Sequence, residues 1–174
     1  MRLGLFAATT VAAWLGLGPA MAQQPAPNPL DVVPDKMPFN VPYGSPIPLA
    51  QAQAAIQAVV DEANRRGWPE DVAVVGPSGD LVAFVRMDGA QLASIAIAEH
   101  KARAAARYRR PTVAFENAVQ QGHLTLILSL DDMIAARGGI PLISEGKLIG
   151  AIGCSGATGS QDEVLCKVGA GTVK

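Results

Sequence analysis

The 174-residue chain has a formal net charge of −1, with aromatic residues making up only 5%. That balance excludes the basic, aromatic-studded surface nucleic-acid binding needs. The apolar 49% is carried by Ala, Val, Leu and Ile, a palette suited to helices packed closely on a sheet.

The N-terminus reads as an export signal. Arg2 precedes an apolar run from Leu3 to Leu17, which breaks at Gly18-Pro19 and is followed by Ala20-Met21-Ala22, a small-x-small cleavage site. The run is shorter than the roughly 20 residues of a spanning helix. Residues 1–22 are thus expected to be removed, delivering a chain from Gln23 to the periplasm, or to the medium, without a membrane span. Loss of Arg2 moves the net charge from −1 to −2. About 150 residues remain, enough for one domain with a full core.

Residues 23–47 form a proline-rich arm. The stretch 25–48 holds eight of the thirteen prolines, so neither a helix nor an inner strand can form there. Val32, Val33, Met37, Phe39, Val41 and Tyr43 make it too apolar for a plain linker, and packing on its own domain or on a neighbouring subunit stands open.

The domain is expected over 48–174. Leu49, Ala52, Ile56, Val59, Val60 and Ala63 recur at helical spacing, with Gly67 as the stop. Two β-rich runs, 72–76 and 81–87, flank Pro77-Ser78-Gly79-Asp80 as a hairpin. A second helix is expected from about Gln91 to Arg109, and its alanines cover more than one face. A short third helix follows Pro111, with Thr112 as cap and Gly122 as stop. The segment from His123 begins strand-like, then turns. A second hairpin joins 140–144 to 147–154 around Glu145-Gly146, and a last helix spans about Gln161 to Val168. In that helix start, Ser160-x-x-Glu163 has the form of a capping box. The order predicts an α+β domain with an antiparallel sheet.

The stretches "EHKARAA", "GGIPLI" and "GKLIGAIGCSGATGSQDEVL" resemble the GlcG/HbpS family, which includes the C-terminal domain of PduO-type proteins. The likeness spans about residues 48–171. It implies a profilin-like three-layer α/β/α fold with a five-stranded antiparallel sheet, often in a homo-oligomer. It also implies a small-molecule ligand, with haem b or a related tetrapyrrole leading. The chain has no C-x-x-C-H, so such a haem is non-covalent.

Several residues can carry such a site. His100, beside Lys101 with Arg103 and Arg107 on the same helix, can ligate haem iron while the basic side chains hold acid groups. It can equally serve as a general base or sit as a packed histidine. Met87 is either a soft ligand or packing. Gly138, Gly139 and Pro141 give a side-chain-poor approach to a strand, and Gly150 and Gly153 mark close approach of a backbone or a ligand. Ser155 and Gly156 open a turn onto a helix start, which reads as a corner or as an anion-holding edge. Asp131, Asp132 and Glu116 form no spacing that demands a metal. No catalytic constellation closes. The alternatives to a binding protein are an enzyme acting on a small organic acid or metabolite and a structural partner of a periplasmic enzyme.

Cys154 and Cys166 make neither a C-x-x-C pair nor a metal site. In an exported protein pairing is the default, and Cys154 at a strand end lies under the helix that carries Cys166. A disulfide is therefore expected, closing a loop of about 13 residues.

Overall fold

The structure, a computed structural model, describes residues 33–37 and 39–174. The export signal, its cleavage site and the first part of the arm lie outside the described residues. Met1–Lys36 and Met37–Lys174 are separate units, and the second carries the fold. Among the described residues, no helix is long and apolar enough to cross a membrane.

In chain order the elements are α1 (Leu49–Arg66), β1 (Asp71–Val75), β2 (Leu81–Arg86), α2 (Ser94–Arg107), α3 (Val113–Gln120), a 3₁₀ turn (Thr125–Ser129), β3 (Gly139–Ser144), β4 (Lys147–Ser155) and α4 (Gly159–Ala170). The four strands form one antiparallel sheet in the order β2-β1-β4-β3. β1 is buried along its whole length because helices cover both its faces. Val72 and Val74 point with Ile152 and Cys154 into a core filled by Ala52, Ala55, Ile56 and Val59 of α1 and Leu165 and Cys166 of α4. Ala73 and Val75 point the other way, with Ala151, against Ala98, Ala102, Ala105 and Ala106 of α2. The period of two along the strand thus divides its residues between two helical layers.

The alanines of α2 let its backbone rest directly on the sheet. A Cβ on Gly153 would stand 2.1 Å from Ala98 O and 2.6 Å from Ala102 N. Gly150 makes room for neighbouring backbone as well, with Val75 O at 2.3 Å from its Cβ position. Both strand glycines therefore mark close packing of the chain on itself.

Among the described residues the sheet has four strands, not five. The strand-like segment after Gly122 is a 3₁₀ turn at Thr125–Ser129. His123 enters it with φ 53°, a left-handed conformation that breaks extension, and Leu126, Leu128 and Leu130 project outward. Several boundaries also move. α2 begins at Ser94, and α4 covers Gly159–Ala170. The capping box at α4 is built from Thr158 and Gln161, which places Ser160 inside the helix rather than at its cap. Thr112 does precede α3, but its side chain accepts from Gly139 N at 2.9 Å instead of capping.

Residues 39–47 of the arm pack on the domain, whereas the side chains of Val33 and Met37 are exposed. Leu148 N donates to Pro42 O and Gly44 N to Leu148 O, both at 2.8 Å, and Tyr43 forms a parallel bridge to Leu148. β1 leaves β4 beyond Ala151, and residues 42–47 take up the vacated side of β4. Ile47 is buried in the α1 core, and the Arg110 guanidinium lies 3.3 Å from the Phe39 ring centroid.

Candidate functional site

The sharp reversal between α2 and α3 and the start of β3 meet at one place. Thr112 N donates to Gly139 O at 3.0 Å while its hydroxyl accepts from Gly139 N, tying the start of α3 to the start of β3. Neither glycine there tolerates a side chain. A Cβ on Gly139 would lie 2.3 Å from Lys101 O, and one on Gly138 would lie 2.9 Å from both Asp162 Cβ and Cys154 O. Gly138 also has φ 111°, a conformation that favours glycine.

These glycines floor a cleft of about 280 Å³, walled by Pro111, Val113, Ile140, Glu163 and Lys167. Its interior is apolar peptide and aliphatic surface. Its polar edge is an ion pair, Lys167 Nζ to Glu163 Oε1 at 2.7 Å, with the lysine largely exposed. Arg137 reaches the same Glu163 at 3.4 Å and holds Glu116 with its backbone N–H and guanidinium at 2.7–2.8 Å. Burial alone would raise Glu116, but the Arg137 hydrogen bonds and charge outweigh it and hold the carboxyl below its ordinary value.

Behind Gly138 lies a buried charge cluster. Lys101, 2% exposed, donates from Nζ to Asp162 Oδ2 at 2.6 Å and to Cys154 O at 3.0 Å. Asp162 Oδ1 accepts from Ala157 N at 3.1 Å. Glu70, fully buried at the foot of β1, completes the group. Burial first, then the Asp162 charge and a hydrogen bond to it, push the Glu70 carboxyl up to about 9, with Lys101 opposing. A proton on Glu70 at neutral pH would make it a donor facing Asp162. The Cys154–Cys166 disulfide is formed, with Cα atoms 5.7 Å apart and both cysteines fully buried. It joins the strand that offers Lys101 a carbonyl to the helix that offers it a carboxylate.

Of the residues expected at a ligand site, Gly138 and Gly139 line this cleft and Lys101 sits directly behind it. Ser155 is buried and donates to Ser94 Oγ at 3.0 Å, and Gly156 packs on Pro69 O. Here the capping box occupies two amides of the helix start: Thr158 N donates to Gln161 Oε1, and Gln161 N donates to Thr158 Oγ1. Pro141 lies in β3 opposite Ala151, where an edge strand tolerates proline. His100 is half-buried on α2 and does not line the cleft, and among the described residues its imidazole makes no hydrogen bond. Arg103 and Arg107 turn elsewhere, pairing with Asp132, and Arg107 Nε also donates to Ser78 O at 2.7 Å. Met87 packs beside the α1 core. No three potential ligands gather for a metal ion among the described residues, and Asp132 and Glu116 are engaged by arginines.

Glu70, Pro111, Val113 and Lys167 were not legible as site residues. An acid directly before an apolar strand was the one available signal, in "WPEDVAVV".

The fold, the GG floor and the α4 start together bear comparison with known proteins. Residues 47–170 match the model for a family described as haem degrading protein HbpS-like. The chain belongs to the HbpS-like family. Among its relatives is protein GlcG of Escherichia coli K12, 36% identical over 104 residues, which are 60% of this chain and 77% of GlcG. A double mutant of Streptomyces reticuli HbpS superposes with TM-score 0.69 at 28% identity, covering 86% of this chain and 99% of that one. A PduOC–heme complex superposes with TM-score 0.67 at 26% identity, covering 74% and 96%. The HbpS-like chain thus shares its mixed α and β fold with a protein crystallised with haem.

Proposed function

We propose that this protein is an exported binder of haem or a related tetrapyrrole, held non-covalently. The observation that carries the reading is membership of the HbpS-like family together with the likeness to the heme complex at 26% identity. The residues present fit a ring seated against the surface rather than engulfed. The cleft, at about 280 Å³, lies below the roughly 300–1,000 Å³ of sites that enclose a whole drug-sized ligand. It therefore takes an edge. His100, outside the cleft, offers a half-exposed imidazole as an iron ligand, and Lys167 at the rim offers an ammonium that a propionate would take over from Glu163. Bound haem would supply redox-active iron, and the chain's own residues supply position and charge. Hemin added to purified protein should shift the Soret band at one site per chain, and His100→Ala should change that spectrum. An unshifted band removes the haem reading, while a shift indifferent to His100 removes its role as ligand.

The cleft volume favours a second reading, a small organic acid or metabolite bound alone. Competition for the cleft by such acids, with no hemin binding, would select it. Exposed Leu126, Leu128 and Leu130 support assembly into a homo-oligomer, which sedimentation reads directly.

A further inference from the structure

Glu70 and Asp71, at the foot of β1, are both fully buried, and among the described residues no donor reaches any of their four carboxylate oxygens. Glu70 faces Asp162 of α4, Lys101 of α2 and its neighbour Asp71, while Asp71 faces Arg86 of β2. β4 brings Ser155 and the disulfide-bonded Cys154, neither of which titrates. The one ammonium inside this group is taken by Asp162 at 2.6 Å. Ionised, Glu70 would be a second buried anion with no donor of its own. Protonated, it becomes a donor, and Asp162 is the acceptor it faces.

Two glycine turns pack closely on the chain that carries this cluster. A Cβ at Gly156 would stand 2.2 Å from Pro69 O and 2.9 Å from Glu70 Cα. Its counterpart at Gly138 would stand 3.2 Å from Lys101 Nζ. Two glycine turns are therefore pressed onto the cluster from two sides. An ionised Glu70 would carry the desolvation cost of a buried charge with no partner of its own.

We propose that Glu70, Asp162 and Lys101 form a proton lock: one proton on Glu70 keeps the three at net zero, and its loss in alkali leaves an uncompensated buried anion that destabilises the fold. The lock is a property of the folded chain alone and holds whether or not haem is the ligand. Glu70 is raised in the folded state from 4.5 to about 9. Its proton therefore stabilises the fold fully below the unfolded value, and that contribution is lost as pH rises through the window up to about 9.

Urea denaturation of wild type and Glu70→Gln across that window tests the lock. The glutamine keeps the shape and the donor but cannot ionise. The wild-type folding constant, relative to the variant, is expected to fall up to tenfold per pH unit, about 1.4 kcal/mol. Parallel pH curves for the two proteins would overturn the proposal. Carbon-13 NMR of wild type labelled selectively in glutamate provides a readout that needs no variant and is blind to Asp71. One glutamate carboxyl should be protonated at neutral pH and ionise near the top of the window. A spectrum in which every glutamate is ionised at neutral pH sinks the lock.

Discussion

Replacing Lys101 by methionine removes the cation that α2 sends to Asp162 at the start of α4 while keeping most of its aliphatic volume. Asp162 then loses a 2.6 Å ion pair and Cys154 O loses a 3.0 Å hydrogen bond, both where side-chain exposure is 3%. Breaking one half of such a pair costs about 3–5 kcal/mol, chiefly because the remaining charge is stranded away from water. A domain of this size moves by roughly 2–4 °C per kcal/mol, so a fall of roughly 6–20 °C in melting temperature is expected. The companion change Asp162→Asn keeps an oxygen for Ala157 N and removes the charge. In the double variant Lys101→Met/Asp162→Asn no charge is stranded, and a good part of the loss should return. The assay is urea denaturation of the four proteins of this cycle, which yields the coupling energy directly. A single Lys101→Met loss under about 1 kcal/mol, or a double variant equal to the sum of the singles, would refute the reasoning.

Two further predictions rest on neighbouring features. Replacing both Cys154 and Cys166 by alanine should cost about 3 kcal/mol, the chain-entropy value for a loop of this order, and reductant should destabilise wild type but not the variant. Glu116 is depressed in the folded state, so its ion pair with Arg137 contributes stability present above the ordinary carboxylate value and lost as pH falls through the folded one. Acid unfolding of Glu116→Gln should accordingly begin from a lower plateau and show a shallower slope than wild type, and coincident curves would deny the pair a role.

The helices and hairpins were legible because periodicity carries them: Ala52, Ile56 and Val59 repeat at helical spacing and fill the core. The disulfide was legible from the expected export together with the placing of Cys154 at a strand end and Cys166 on the helix that follows. The 3₁₀ turn was not. Leu124, Leu126, Leu128 and Leu130 alternate as a strand does, yet they join neither edge of the sheet, and a left-handed His123 turns the chain away. The capping residue slipped by two positions because Ser160 and Thr158 both have a hydroxyl and an acceptor three residues on. Within the candidate site, local pattern exposed the glycines but not their company. Lys101 reads as one of several basic residues on a helix, and only the fold shows that it points inward while Arg103 and Arg107 do not. Glu70 and Asp162 stand far apart in sequence, so their shared proton belongs to the tertiary structure alone.

The cleft floor is made of peptide, and this divides the molecule into a part that is fixed and a part that is free to vary. Gly138 and Gly139 cannot change without colliding with Lys101, Thr112, Asp162 or Cys154 O. The rim is under no such constraint: Pro111, Val113, Ile140, Glu163 and Lys167 are each at least partly exposed. Ligand preference can therefore diverge among descendants of this fold through a handful of rim exchanges, with the buried machinery left intact. Engineering a new binder on it should begin at those same positions.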